Sequence, residues 1–389
     1  MRLAQATFCL AVALSCHSEE ATPGSDLLSG GNSEQSQGQG GGLLQVADAS
    51  YCGLGVSELE IQRPNLYFVL DASGSMLRPM GGTPDNRHEA ALNAVRNVMR
   101  AVGTLTRVGA ANFPGARVGD LSTQCDVGEE VYQLRTINED PFATTGFDGF
   151  DTIALMDQLS RRDPAGGTPI TATLRLLEPQ LLAMEGPSAV FLLTDGGPNC
   201  SEFVTCNREN CIPNIERTQL DNGVLCDDSV NCCDPDKLGS LHCLDEGSRP
   251  ILERLRDAGV ATYVIGLPGT EIYARVLNVM AVAGGAPQDG ETSYYAVTDT
   301  EALSNTLIDL AKTAVLRCDF DLRQPPDDPA LVNVLFDGEP IPFDADDSGD
   351  GWIYSSGQTL TVVGRYCQDL KDLTVTRVRI QEGCPSIVN

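Results

Sequence analysis

The sequence has little positive charge and few of the side chains that hydrolytic enzymes use. Its 389 residues include 26 Lys and Arg against 54 Asp and Glu, giving a formal net charge of −28. Nucleic-acid binding depends mainly on Lys and Arg that neutralise phosphates, so we expect no nucleic-acid partner. The only histidines are His17, His88 and His242, and the sequence has neither a G-x-S-x-G motif nor a Gly-rich phosphate loop followed by Lys. We therefore expect no enzymatic activity.

Long apolar runs are also scarce. The run at residues 6–14 follows Arg2 and is shorter than the roughly 20 residues that cross a bilayer, so residues 1–15 are predicted to be an export signal. The run ends in Ser15-Cys16, which resembles a bacterial lipobox with Cys16 as the lipidated N-terminus. An ordinary secretory signal and an unprocessed N-terminus are the alternatives.

These features predict an exported protein that touches a membrane only through a lipid anchor. With Cys16 lipidated, we expect it at the bacterial outer membrane or cell surface, and otherwise in the periplasm or secreted. Residues 16–50 are rich in Gly, Ser and Gln and show no apolar periodicity. Such a composition is typical of a flexible tether.

The cysteine count supports an oxidising compartment. Without Cys9 and Cys16, twelve of the fourteen cysteines remain, an even number that favours disulfides over a zinc cluster near His242. Seven lie in residues 200–243 and five elsewhere, so complete pairing within the chain requires at least one disulfide between the two groups. The disulfide candidates are Cys52, Cys125, Cys200, Cys206, Cys211, Cys226, Cys232, Cys233, Cys243, Cys318, Cys367 and Cys384.

Residues 51–317 alternate between short apolar runs and amphipathic stretches. Continuous apolar strands such as residues 66–70 and 189–193, separated by helices such as residues 87–102, predict an α/β fold with a doubly wound, mainly parallel sheet. We expect His88, at the start of that helix, to be a surface residue. The Cys-rich residues 200–243 form an insertion, and residues 318–389 show only strand patterns, which predicts a small all-β module.

Oxygen-bearing side chains stand where predicted strands and loops end. Asp71, Ser73 and Ser75 follow the first strand, Thr168 lies in a Gly-Gly-Thr-Pro loop, and Asp195 follows a later strand. Parallel sheets bind ligands beyond the carboxyl ends of their strands, so these five side chains are expected to converge. An all-oxygen donor set suits Mg²⁺, Ca²⁺ or Mn²⁺.

These motifs resemble the metal-ion-dependent adhesion site (MIDAS) of the von Willebrand factor A (VWA) family. The resemblance covers residues 64–316, with D-x-S-x-S at Asp71, Ser73 and Ser75, followed in the family's order by Thr168 and Asp195. It implies that Ser73, Ser75 and sometimes Thr168 contact the metal directly, while Asp71 and Asp195 act largely through bound water. Mg²⁺ is the first candidate for the metal. The resemblance also implies that an acidic side chain of another protein completes the coordination.

Two functions remain open at this point. The first is a cell-envelope, metal-dependent protein-binding module of the adhesion type. The second is a structural or assembly component of the envelope in which the metal is incidental or absent. The order of signal, tether, A domain with insertion and β tail resembles secreted VWA-domain lipoproteins of bacteria. The insertion follows Asp195 directly, so it is expected to border the metal face, where it either shapes partner choice or serves as a disulfide-braced structural element.

Overall fold

The computed structural model describes residues 57–59, 62–81, 83–115, 125–201, 204, 207, 210–212, 243–315, 317–344, 349–372 and 374–388. The predicted signal peptide, Cys16 and the predicted tether lie outside the described residues, as does most of the predicted Cys-rich insertion. Among the helices that the structure describes, none is both long and apolar enough to cross a membrane.

Strands and helices are interspersed along the chain up to residue 315. The strands are β1 (Ser57–Leu59), β2 (Asn65–Asp71), β3 (Arg107–Phe113), β4 (Glu129–Thr136), β5 (Ser188–Thr194), β6 (Val260–Gly266), β7 (Tyr295–Ala296), β8 (Asp319–Asp321), β9 (Val332–Phe336), β10 (Glu339–Ile341), β11 (Gly351–Ser356), β12 (Thr359–Val363) and β13 (Val378–Glu382). The helices are α1 (Arg87–Val102), α2 (Phe142–Thr145), α3 (Phe150–Ser160), α4 (Ile170–Leu182), α5 (Arg249–Asp257), α6 (Ala274–Ala283), α7 (Thr300–Val315) and α8 (Arg365–Lys371).

Six strands form the central sheet, in the order β4-β3-β2-β5-β6-β7. All neighbours are parallel except β4, which runs antiparallel to β3 at one edge. Alternate side chains of β2 enter opposite cores, with Phe68 packed among α1, α3 and α7 and Val69 among α4, α5 and α6. The predicted doubly wound, mainly parallel α/β fold is confirmed.

Helix α1 has the bounds that its sequence predicts. The Asn86 side chain accepts a hydrogen bond from the backbone N–H of Glu89, and the Glu89 carboxylate accepts one from the N–H of Asn86. This capping box satisfies two backbone donors and starts the helix at Arg87. The apolar stripe, which includes Ala91 and Val95, is buried against the sheet.

Helix α4 was missed by the sequence analysis. Pro179 lies inside this helix, where the lack of a backbone N–H usually ends helical structure. The helix continues because Leu174, Leu177 and Leu181 lie on one face and are fully buried against the sheet. Burial of this face therefore outweighs the unfavourable proline.

The residues after 318 form a β-rich C-terminal module, as predicted, built from two antiparallel sheets. The first sheet has the order β1-β13-β9-β10 and the second β11-β12-β8. The prediction that helical structure ends at Cys318 was wrong, because α8 follows β12. Strand β1 precedes the central strands in the sequence and falls within the range 51–317 assigned to the A domain, yet it pairs with β13 of the C-terminal module. A disulfide joins Cys318 to Cys367, as expected for a small module that needs bracing.

The C-terminal module packs against the amino ends of the central strands. The Gln62 N–H, just before β2, donates a hydrogen bond to the Asp321 carbonyl at 2.9 Å. The Thr104 hydroxyl, just before β3, donates to the Thr376 carbonyl at 3.2 Å. Strand β2 then runs seven residues, about 20 Å, to Asp71. The module and the predicted metal site therefore lie at opposite ends of the central sheet.

Candidate metal site at the carboxyl end of the sheet

Asp71 is the last residue of β2, and its side chain is held by the chain around it. The carboxylate is fully buried. Its Oδ1 accepts a hydrogen bond from the Ser73 N–H at 2.7 Å, and its Oδ2 accepts one from the Thr194 hydroxyl at 2.6 Å. Thr194 ends β5, which is paired with β2. Asp71 therefore fixes both the loop that follows it and the neighbouring strand end.

Ser73, Ser75 and Asp195 form a continuous set of oxygen atoms beside Asp71. The Ser73 and Ser75 hydroxyl oxygens are 3.0 Å apart, and the Ser75 hydroxyl donates to Asp195 Oδ1 at 2.6 Å. Ser73 and Asp195 are buried, whereas Ser75 is only partly buried. The set therefore reaches the surface at Ser75.

Thr168 joins this set from the loop before α4. Its position is fixed by two hydrogen bonds with Asn199, one from the Thr168 N–H to the Asn199 side-chain oxygen at 2.8 Å and one from the Asn199 N–H to the Thr168 carbonyl at 3.0 Å. A Cβ on Gly196 would lie 3.4 Å from Thr168 Oγ1 and 4.0 Å from Ser75 Oγ. Thr168 and Ser75 thus meet at the same glycine, directly after Asp195.

Two backbone hydrogen bonds join the loop after β2 to the loop that carries Thr168. The Ala165 N–H donates to the Ala72 carbonyl at 2.8 Å, and the Gly74 N–H donates to the Gly166 carbonyl at 2.9 Å. These bonds bring together segments that are far apart in the sequence. All five residues proposed from the sequence therefore lie together at the carboxyl end of the sheet, while their role as metal ligands stays a prediction.

The site holds two carboxyl groups away from water. Burial and, to a smaller extent, the nearby charge of Asp195 raise the pKa of Asp71 to about 7, although hydrogen bonds from Thr194 and Ser73 oppose this shift. A pair of buried acids favours the presence of a cation, because the cation offsets both the desolvation and the mutual repulsion of the carboxylates.

The donor set fits a hard divalent cation. It consists of two carboxylates and three hydroxyls, and these oxygen donors suit Mg²⁺, Ca²⁺ and Mn²⁺. Within the part of the chain that the structure describes, no group of three or more His, Cys, Asp or Glu side chains is placed so that it could hold a metal ion. A metal ion at the carboxyl end of the sheet would therefore depend on the hydroxyls of Ser73, Ser75 and Thr168.

Two neighbouring residues differ from what the sequence led us to expect. Arg87, the first residue of α1, forms a buried ion pair with Asp195 Oδ2, which no motif indicated. His88 is 5% exposed, so the prediction of a surface residue was wrong. It lies three residues before Ala91, on the buried stripe of α1, and this spacing could have placed it inside. Burial lowers the pKa of His88, and the backbone of Asp71 partly opposes this shift.

Disulfides brace the segment beside the site. Cys125, just before β4, is bonded to Cys200, next to Asn199. This bond confirms the parity argument that the Cys-rich segment is linked to the rest of the chain. Cys211, Cys243 and Cys384 are also disulfide-bonded. The candidates outside the described residues are Cys52, Cys206, Cys226, Cys232 and Cys233, together with His242 of the zinc alternative.

The doubly wound, mainly parallel central sheet agrees with the VWA fold that the sequence resemblance implies. No protein-family model matches the chain, and no curated protein matches it. Similar solved structures include the PilB minor pilin from Streptococcus sanguinis, at 17% identity and a TM-score of 0.42 over 66% of this chain and 61% of PilB. The pilus adhesin SpaC from Lactobacillus rhamnosus GG matches at 18% identity and a TM-score of 0.42, over 83% of this chain and 39% of SpaC.

A third similar structure is the vWF domain of the type V pili tip protein Mfa5 from Porphyromonas gingivalis, at 11% identity and a TM-score of 0.39 over 66% of this chain and 95% of that domain. The chain thus spans less than two thirds of the PilB and SpaC structures. At such identities and TM-scores these similarities do not decide function, which has to be inferred from this chain's own residues.

Proposed function

We propose that the protein is a cell-envelope binding module of the adhesion type, in which a divalent cation coordinates an acidic group of another protein. The proposal rests on the convergence of five oxygen-bearing side chains at the carboxyl end of the sheet. They are Asp71, Ser73, Ser75, Thr168 and Asp195. A bound cation supplies an electrophilic position that a carboxylate from outside can occupy. Mg²⁺ is our first candidate, with Ca²⁺ and Mn²⁺ as alternatives.

The hydrogen bonds support different roles for the five residues. Both oxygens of Asp71 already accept hydrogen bonds from the chain, so we assign it to orienting the loop and to acting on the cation through water. The hydroxyls of Ser73 and Ser75 adjoin each other and can turn their lone pairs toward a cation. Thr168 supplies the third hydroxyl, and Asp195 balances the charge.

The surface around the site supports a protein partner. Leu77, in the turn after Ser75, is 57% exposed, and Ile272, in the turn after β6, is 69% exposed. Both turns leave the carboxyl ends of strands, where the donors lie. We therefore expect the partner to present its acidic side chain next to apolar groups that cover these two residues.

The direct test is a calorimetric titration of the chelator-stripped protein with Mg²⁺, Ca²⁺ and Mn²⁺. We expect saturable binding by the wild type and its loss in Asp71→Asn, which keeps the size of the side chain. Asp157→Asn changes an exposed carboxylate on α3 and serves as the matched control. Absence of binding in the wild type, or equal binding by the Asp71 variant, would contradict the proposal.

One observation favours the rival function, a structural component with an incidental metal. The ion pair with Arg87 gives the Asp195 carboxylate a positively charged partner even when no metal ion is bound. If that function is correct, EDTA should leave association with envelope proteins unaltered. If the binding function is correct, EDTA should abolish it, and Mn²⁺ should restore it.

The proposal includes export and lipid anchoring through Cys16. The Cys125–Cys200 and Cys318–Cys367 disulfides support an oxidising compartment. We expect Cys16→Ser to release the protein from the membrane fraction, and the mass of the wild-type N-terminal peptide to include acyl chains. An unmodified N-terminal peptide would contradict the anchor and leave the binding function to be tested separately.

A further inference from the structure

Arg87 places a positive charge inside the candidate site. Its side chain is 9% exposed, and that of Asp195 is fully buried. Only the Nη1 atom bonds Asp195, while Nε makes no hydrogen bond among the described residues. The contact is therefore a single buried charge pair and not a two-point fork between guanidinium and carboxylate.

Helix formation does not account for an arginine at this position. Arg87 is the first residue of α1, a helix of 16 residues, and a cation at a helix N-terminus is repelled by the helix dipole. The capping box of Asn86 and Glu89 already satisfies two backbone donors at the helix start without Arg87. The favourable contact of Arg87 is thus the one with Asp195.

The loop after β6 leaves room for the guanidinium. Gly269 has a φ of +105°, a conformation that favours glycine, and a Cβ there would lie 3.2 Å from both Nη1 and Nη2 of Arg87. A side chain at residue 269 would press on the charged group. The loop, the helix start and the end of β5 are therefore arranged together around this guanidinium.

The charge of Arg87 has opposite consequences for a cation and for an anion. With both carboxylates ionised, Asp71 and Asp195 contribute two negative charges and Arg87 one positive charge. A divalent cation makes the occupied site net positive, whereas without Arg87 the same site would be neutral. A net positive site attracts a carboxylate, even on a protein whose formal net charge is −28.

We propose that Arg87 is a positioning residue that weakens cation binding and, in return, gives the loaded site the positive charge that binds an acidic partner group. This inference rests on the proposed function. The guanidinium holds Asp195 in place when the cation is absent. When the cation is present, the guanidinium repels the cation and attracts the incoming carboxylate.

The test compares Arg87→Gln with the wild type in two measurements on the full chain. Calorimetry measures the affinity for Mn²⁺, and water-proton relaxation measures the affinity of acetate, as the simplest carboxylate, for the Mn²⁺-loaded protein. We expect Arg87→Gln to bind Mn²⁺ roughly tenfold more tightly, because repulsion is removed, and to bind acetate severalfold more weakly. Arg87→Lys keeps the charge and should change both affinities less. Arg78 accepts a backbone hydrogen bond from the Arg87 N–H, but its side chain makes no ion pair among the described residues, so Arg78→Gln should leave both affinities close to wild type.

Loss of the buried ion pair also destabilises the metal-free protein, so the thermal unfolding midpoint is measured in EDTA and in saturating Mn²⁺. A larger Mn²⁺-induced rise in Arg87→Gln than in the wild type supports the inference, even if the variant folds only with Mn²⁺. Equal or weaker Mn²⁺ binding by the folded variant, unchanged acetate binding, or failure to fold in saturating Mn²⁺ overturns it. The proposed function fails on a different result, namely a wild type that binds no cation or an Asp71→Asn variant that binds it normally.

Discussion

At the carboxyl end of the central sheet a group of buried polar side chains is joined by hydrogen bonds, whereas the C-terminal module at the amino end has an apolar core and a disulfide. Asp71 and Asp195 are both buried at the first end, which is unfavourable without a compensating charge. Trp352 is buried among apolar residues at the second end. The difference teaches that the amino end is stabilised by apolar packing, whereas the carboxyl end keeps buried charges that the proposed cation would compensate.

The largest effect is expected from Trp352→Ala. The ring is fully buried and contacts the rings of Phe343 and Tyr354, with centroids 4.8 Å and 5.3 Å away. Its removal should lower the free energy of unfolding by about 3–5 kcal/mol, measured by urea denaturation. Trp352→Phe serves as the control, and its free energy of unfolding should fall by much less. Mn²⁺ affinity should stay unchanged in both, and a weakened affinity in the folded variant would show that the two ends are coupled.

A smaller effect is expected from removing disulfides. Cys318→Ser with Cys367→Ser should lower the free energy of unfolding by about 2–4 kcal/mol and leave Mn²⁺ affinity unchanged. Cys125→Ser with Cys200→Ser should weaken Mn²⁺ binding as well, because Cys200 follows Asn199, which holds the backbone of Thr168. If both double variants change the affinity alike, the distinction between the two ends is lost.

Much of the fold could be predicted because burial leaves a pattern in the sequence. The strands β2 and β5 are continuous apolar runs, and Asp71 and Asp195 stand at or just beyond their ends. Helix α4 was missed because Pro179 is unfavourable locally, although the burial of Leu174 and Leu177 outweighs it. Local preference and long-range packing disagree there, and packing decides.

The candidate site was predictable only in part. Ser73 and Ser75 are tied to Asp71 by short spacing, so a motif indicates them. The pairing of Arg87 with Asp195 joins residues 108 positions apart and depends on how the first turn of α1 approaches the end of β5. The misplacement of His88 has a different cause, since its spacing from Ala91 and Val95 already puts it on the buried face.

The polar end should also be the pH-dependent one. In the metal-free protein the pKa of Asp71 is raised from 3.8 to about 7, so the folded state binds this proton more tightly than the unfolded state. The stability from this group is therefore fully present below about pH 4 and is lost as the pH rises through about 7. Unfolding in EDTA across this range should show the loss in the wild type and not in Asp71→Asn. Parallel curves for the two proteins would contradict the assignment to Asp71.

The smallest effect sharpens the comparison within the carboxyl end itself. Thr168→Val removes one hydroxyl at nearly constant volume, and if that hydroxyl binds the cation, Mn²⁺ affinity should fall roughly tenfold, the usual scale of one lost polar contact. Thr171→Val is the matched control, because this nearby threonine is also buried and its hydroxyl makes no hydrogen bond among the described residues. Calorimetry should find the control unchanged. Equal affinities of the two variants would remove Thr168 from the ligand set and leave the cation to Ser73, Ser75 and water held by the two carboxylates.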